Sequence, residues 1–392
     1  MKSWQDVLKG VAGDAEAQFD KLKWRLQDKF NRIARVQIWA YRGHGTANTV
    51  HLRGRVLEDN GLAQMGQADR DSLWANLLAS YRRFETDEVA DVRVEARLGE
   101  VVQTAVTDVE GYFQFALPLR SPLPTDQLWH AVSLTLLDPV GEVAAGTVQA
   151  TARVMVPAAT AQFGLISDVD DTILQTHATN LLTVARLTFL HSAKTRLPFA
   201  GVAAFYEALQ RGGGTAVRNP IFYVSSSPWN VYDLLTDFMS LQNIPDGVLF
   251  LRDYGIGKEA LGATDHHGHK LTQIEHIFST HPQLNFILLG DSGQKDPEIY
   301  SHVVETHPER VLAVYIRDVT DDARDAEVVT LAEKTAVHNI PFLLVPDTVA
   351  AAEHAAAQGW ISPDDLTAIR ADKARDVEEE SCSHGLTQIF TD

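Results

Sequence analysis

Apolar residues recur at steps of three and four from the first turn of the chain. Trp4, Leu8, Val11, Ala15, Phe19, Leu22, Leu26, Phe30 and Ile33 fall on one stripe, which predicts an amphipathic helix over residues 1–35. The pattern then shortens. Residues 36–41, 49–57, 91–98 and 112–117 are rich in strand formers, and turn signals such as Glu110-Gly111 separate them. A helix near residues 71–84 interrupts the strands. Residues 36–160 thus read as a small β-sandwich domain.

After Val156-Pro157 apolar runs alternate with helical patterns. Strands are predicted at 163–167, 221–224, 248–251, 286–289 and 311–316. Helices are predicted at 201–210, from Val231 and from Leu271. Such alternation implies an α/β domain with a doubly wound, mostly parallel sheet over residues 161–361. Residues 362–392 close the chain with a helix started by Ser362-Pro363. A polar tail around Glu378, Glu379 and Glu380 is expected to fray.

Composition narrows the function classes. A 45 % apolar content with 22 % charged residues supports a full core. The net charge of -18 disfavours nucleic acid as a partner, because phosphate backbones are repelled. The single cysteine, Cys382, rules out an internal disulfide and leaves no cysteine cluster for zinc. No apolar run reaches about 18 residues, so no membrane span is expected. The first turns carry charges and no apolar signal core, which makes a cytoplasmic location the expectation. Residues 1–35 depart from the overall charge. Eight basic residues, Lys2, Lys9, Lys21, Lys23, Arg25, Lys29, Arg32 and Arg35, face five acids there. A basic amphipathic helix with aromatic residues can lie in a membrane interface, while a stripe this regular is what any helix docked on the β-sandwich or on a second subunit shows.

The candidate chemistry sits at strand ends. Phe163-Gly164-Leu165-Ile166-Ser167 runs straight into Asp168-Val169-Asp170-Asp171-Thr172. In an open parallel sheet ligands bind beyond the carboxyl ends of the strands, where Asp168 and Asp170 share one cavity. A calcium loop counted from Asp168 fails, because Ile173 and Thr179 stand where glycine and glutamate are needed. A glycosidase pair is less suited, since two acids in one turn serve a single metal–phosphate site better than two faces of a sugar. The run Phe286-Ile287-Leu288-Leu289-Gly290-Asp291 repeats the pattern, and Asp296 follows. Asp168 and Asp291 at the ends of parallel strands are candidate ligands for Mg2+, a hard ion that takes oxygen donors.

Two further segments complete the set. Ile221-Phe222-Tyr223-Val224 ends in Ser225-Ser226-Ser227-Pro228, whose hydroxyls and backbone donors can cradle phosphate or simply cap a helix. It lacks the Gly-x-Ser-x-Gly elbow of serine hydrolases. Phosphoryl transfer also needs a cation, and Lys270 and Lys258 compete for that place. Lys258 is not part of a P-loop, because Arg252 and Glu259 occupy required positions. His266, His267 and His269 fit no standard metal spacing and read as a polar loop.

Together these segments resemble the haloacid-dehalogenase-like phosphatase superfamily. Asp168, Asp170 and Thr172 match its Asp-x-Asp-x-Thr/Val motif, Ser225 its strand-end Ser/Thr, Lys270 its lysine, and Asp291 with Asp296 its acidic motif. The longer runs 167–176, 223–230 and 290–300 resemble the actin-patch-associated phosphatidate phosphatase family, and residues 36–60 are similar to its bacterial members. The resemblance implies a Rossmann-like, haloacid-dehalogenase-like catalytic domain. It implies Mg2+-dependent hydrolysis of phosphatidate, a phospholipid, to diacylglycerol. Asp168 is then the nucleophile, and Asp170 the general acid/base and a further Mg2+ ligand. Ser225, Ser226 and Thr172 bind substrate, Lys270 acts at the phosphoryl group, and Asp291 and Asp296 bind metal with Asp168. A soluble phosphate ester as substrate, or a degenerate lipid- or protein-binding module, are the alternatives.

Overall fold

The computed structural model describes residues 35–59, 88–169, 200–214, 218–252, 266–320 and 322–389. The expected helices over 1–35 and near 71–84 lie outside these residues, as do Asp170, Thr172 and Lys258.

Among the described residues eight strands come first: β1 (Val36–Ala40), β2 (Gly43–Gly45), β3 (Thr49–Glu58), β4 (Arg93–Leu98), β5 (Val101–Val106), β6 (Tyr112–Pro118), β7 (Trp129–Leu136) and β8 (Gln149–Met155). All belong to one sheet, ordered β1-β3-β2-β8-β7-β4-β5, with β6 on the other edge of β3. Alternate residues point inward. Val50, Leu52 and Val56 of β3, Phe113, Phe115 and Leu117 of β6, and Val132, Leu134 and Leu136 of β7 share one buried core. The pairings join these strands into one mixed sheet around that core.

The second sheet contains β9 (Gly164–Asp168), β10 (Ile221–Pro228), β11 (Val248–Arg252), β12 (Phe286–Asp291), β13 (Val311–Arg317) and β14 (Phe342–Val345). Every pairing in it is parallel. The order is β11-β10-β9-β12-β13-β14. The chain starts at β9, winds outward through β10 and β11, then returns to lay β12 on the opposite side of β9. That reversal makes the β9/β12 boundary the switch point of the sheet, where a crevice opens at the strand ends.

The helices are α1 (Val202–Arg211), α2 (Tyr232–Leu241), α3 (His266–Thr280), α4 (Asp296–Thr306), α5 (Asp322–Thr335), α6 (Thr348–Ala357) and α7 (Asp365–Ile389). They cover both faces. Leu165, Tyr223, Leu249, Ile287, Leu289 and Tyr315 pack under α1, α2, α6 and α7. Ile166, Phe222, Leu288, Val314 and Ile316 pack under α3, α4 and α5. Strands buried on both faces must be apolar throughout, which is why they read as continuous hydrophobic runs.

Two expectations change. The helix predicted from Leu271 begins at His266, so His266, His267 and His269 are helical rather than looped. The tail expected to fray is the second half of α7, whose first half packs against α1 and α6. Ile369 is buried there, and Asp372 and Asp376 accept hydrogen bonds from the N–H groups of Ala204 and Gly201 at the start of α1 (3.1 and 2.7 Å). Carboxylates at a helix N-terminus satisfy its free donors and its dipole.

The two sheets are joined by polar and aromatic contacts. Asp246 bridges Arg42 and Arg153 of the first sheet region at 2.5 and 2.6 Å. Tyr41 stacks on Trp229 and lies 4.4 Å from the Tyr232 ring. Trp229 directly follows β10 while Asp246 precedes β11, so the first sheet touches both ends of this edge of the parallel sheet.

Candidate active site at the switch point of the parallel sheet

Asp168 is the last residue of β9, and Asp291 is the last residue of β12. The register pairs Leu289 with Ser167 and Val224 with Asp168, which sets Asp168 between the ends of its two neighbours. Asp296 opens α4 and folds back beneath the turn. Carboxylate oxygens of Asp168, Asp291 and Asp296 all lie within 4.8 Å of one another.

Among the described residues one ammonium group answers this charge. Nζ of Lys270, on α3, stands 2.7 Å from Oδ1 of Asp168 and 2.8 Å from Oδ1 of Asp296. Lys270 is 4 % exposed and Asp296 is fully enclosed. Burial pushes the Asp168 carboxyl well above the usual carboxylate range, and the negative charge of Asp296 adds to this against the pull of Lys270. Burial alone would lower the Lys270 ammonium, but Asp168 and Asp296 outweigh it and raise it. The lysine is thus held charged.

The turn after β12 is built to aim its acids. Oδ1 of Asp291 accepts hydrogen bonds from the N–H groups of Gly293 (2.8 Å) and Gln294 (3.2 Å), an Asx turn. Oδ2 of Asp296 accepts from the N–H of Asp291 at 3.3 Å. Gly290 allows this approach. A β-carbon there would meet Oδ2 of Asp296 at 2.6 Å, so no larger residue fits without displacing the acid.

Ser225 and Ser226 are buried beyond the residue that pairs with Asp168. Oγ of Ser225 accepts the N–H of Ser227 at 3.0 Å, which shapes the turn that leads to Trp229. Ser167 donates to its neighbour's carbonyl, and its Oγ lies 2.8 Å from the Tyr206 hydroxyl of α1.

Sequence reasoning missed Arg324. From α5 it donates to the carbonyls of Ser292 (2.9 Å) and Gln294 (2.7 Å). Its two terminal nitrogens also pair with both oxygens of Glu298 at 2.9 Å. This fork fixes the Asp291–Asp296 turn from behind. No local pattern marks Arg324, because its partners lie in another loop.

The arrangement is three carboxylates gathered around one ammonium at the strand ends of a parallel sheet. Residues 163–318 match the family described as "Phosphatidate phosphatase APP1, catalytic domain". Over 163 residues the chain is 33 % identical to Phosphatidate phosphatase APP1 of Saccharomyces cerevisiae, a stretch covering 41 % of this chain and 27 % of that protein. Over 274 residues it is 26 % identical to an uncharacterized protein of Schizosaccharomyces pombe, covering 68 % of this chain and 41 % of that one. The chain thus matches less than half the length of either relative. Among solved structures, a carbohydrate acetylesterase from Xanthomonas citri aligns over 74 % of this chain and 72 % of its own. The TM-score of that alignment is 0.25 at 9 % identity. Residues 163–318 are thus similar to the catalytic domain of a phosphatidate phosphatase.

Proposed function

We propose that this protein is a Mg2+-dependent phosphatidate phosphatase that works through an aspartyl-phosphate on Asp168. The observation that carries the reading is the convergence of Asp168, Asp291, Asp296 and Lys270 at the switch point, inside the segment that matches the phosphatidate phosphatase catalytic domain. The same placement supports a haloacid-dehalogenase-like fold for the catalytic domain.

The donor set fits the cation. Three carboxylates within 4.8 Å offer only hard oxygen ligands, and Oδ2 of Asp168 has no hydrogen-bond partner among the described residues. Asp168 and Asp291 would hold Mg2+, with Asp296 completing or orienting the shell and Asp170 a further ligand. When bound, the ion supplies positive charge to the phosphate oxygens, so that a dianion can approach the carboxylates.

Asp168 attacks phosphorus, and the bond from phosphorus to the glycerol oxygen breaks. Asp170 gives its proton to that oxygen and diacylglycerol leaves. The Asp170 carboxylate then takes a proton from water, whose oxygen attacks the phosphorus and frees phosphate and Asp168. Lys270 and Ser225, with Ser226 and Thr172, hold the phosphoryl oxygens, while Lys270 also keeps Asp168 and Asp296 from repelling each other. The substrate's headgroup lies at a lipid surface, which fits peripheral membrane contact and a cytoplasmic location. No helix among the described residues is long and apolar enough to cross a membrane.

The test is phosphate release from phosphatidate in mixed micelles, with Mg2+ or with chelator, beside a chromogenic phosphomonoester. Mg2+-dependent release from phosphatidate is the expected result. Turnover of the soluble ester alone points to a soluble phosphate ester, and turnover of neither overturns the enzyme reading.

A further inference from the structure

Asp168 is held from both faces of the parallel sheet. Successive residues of a strand point to opposite faces. The Asp168 side chain meets Lys270 of α3 on one face, and the Ser167 side chain meets Tyr206 of α1 on the other. Ser167 and Tyr206 are both buried. Oγ of Ser167 donates to the Asp168 carbonyl at 2.8 Å, and a hydroxyl has one hydrogen to give. In the 2.8 Å contact between Ser167 and Tyr206 the phenol is therefore the donor. Burial raises the Tyr206 phenol, and the charges of Asp168 and Asp296 add to this against the Ser167 bond, so the phenol keeps its proton near pH 7.

This relay of two hydroxyls ends on the main chain of Asp168, at the point where β9 leaves the sheet. The register with β12 stops at Ser167, while that with β10 continues to Asp168. Among the described residues Asp168 thus has no register partner on the β12 side, and the Ser167 hydroxyl takes its carbonyl. Tyr206 is itself fixed. Its ring stacks on that of Tyr223 with centroids 6.4 Å apart and meets Phe205 edge-on at 6.2 Å. The start of α1 is tied to α7 through Asp372 and Asp376.

We infer that Tyr206 is a positioning residue for Asp168, acting through Ser167 on the main chain that carries the nucleophile. The inference rests on the phosphatase reading and adds to it a residue outside the carboxylate cluster. Tyr206 touches neither the cluster nor Lys270. Lys270 holds the tip of the Asp168 side chain, and the relay holds its root, so together they set the direction of the carboxylate. That direction matters because a misplacement of about 1 Å can cost about 10²-fold in rate.

The test uses the full chain in saturating Mg2+, well below the melting temperature of each variant. Phosphate release is followed on whichever of phosphatidate and the chromogenic ester the parent turns over. Tyr206→Phe keeps the ring and removes only the hydroxyl. It should lower kcat by about tenfold and leave KM unchanged. Ser167→Ala should lower kcat to a similar degree. The double variant should be no slower than the slower single variant, because the two hydroxyls act as one relay. Tyr223→Phe is the matched control. It also removes a buried phenol hydroxyl, which donates to the Pro245 carbonyl at 2.9 Å, ahead of β11 at the other end of the sheet. It should lower the melting temperature and keep the parent kcat. A parental kcat in Tyr206→Phe, a change in KM alone, losses that multiply in the double variant, or an equal loss in Tyr223→Phe would overturn the inference and leave the phosphatase standing. A parent that turns over neither substrate overturns the proposed function and this inference with it.

Discussion

Oδ1 of Asp168 and Nζ of Lys270 lie 2.7 Å apart, with both side chains at most 5 % exposed. One ends a strand at the switch point and the other projects from a helix that begins a turn earlier than its apolar pattern suggests. Lys270 also binds Asp296, so one buried cation separates two buried acids. That pairing sets the behaviour expected of variants at the site.

Asp168→Asn should reduce phosphate release to background, a loss on the order of 10⁴-fold or more, because an amide cannot form the phosphoryl ester. Asp170→Asn should lower kcat by about 10²–10⁴-fold, the usual worth of general acid–base catalysis. Steady-state kinetics on phosphatidate measure both. A near-native rate in Asp168→Asn would refute the aspartyl-phosphate.

Lys270→Met should destabilise the Mg2+-free protein by about 3–5 kcal/mol, the cost of leaving buried charges unpaired. Added Mg2+ should recover more of the melting temperature in this variant than in the parent, since the cation replaces lost positive charge. Chemical denaturation with and without Mg2+ reads both quantities. An unchanged midpoint would mean that the ion pairs carry no stability.

Arg324→Ala should raise the Mg2+ concentration for half-maximal activity by about tenfold, as expected when support behind a metal ligand is removed. Arg324→Lys should not rescue it, because one ammonium cannot hold two carbonyls and the Glu298 carboxylate together. A metal titration identical to the parent's would place Arg324 outside the site's support.

His281 gives a pH dependence. Burial, with the nearby His276 and Arg310 charges, pushes its imidazole down to about 4. The unfolded chain binds that proton near pH 6.5 and the folded chain does not, so unfolding takes up a proton between these values. Stability from this residue is complete above about pH 6.5 and falls as pH drops toward 4, by at most about 1.4 kcal/mol per unit. In metal-free protein, His281→Asn should flatten the slope of melting temperature over this window. An unaltered slope would show that His281 titrates normally.

The parallel sheet was legible because its strands are buried on both faces. Phe163 to Ser167, Ile221 to Val224 and Phe286 to Leu289 leave no polar position until the strand ends, so the acids and serines that follow stand out. The helix carrying Lys270 was legible only in its second half. His266, His267 and Gly268 have no apolar period, and their helical state follows from where α3 docks. The acidic part of the tail was misread for a related reason. A polar helix gives no periodic signal, while Ile369, Asp372 and Asp376 fix the start of α7 against α1.

By itself the sequence determined which strands end in chemistry, because a buried strand tolerates no charge until it leaves the core. It determined that Asp168 and Asp291 terminate such strands. Only the tertiary structure decided that β9 and β12 are neighbours, that Lys270 comes between Asp168 and Asp296, and that Arg324 braces the turn. It alone brought the Tyr206 hydroxyl onto Ser167. Those relationships join residues far apart in the chain, and they are set by strand order and helix docking, which no local pattern of apolar and polar positions encodes.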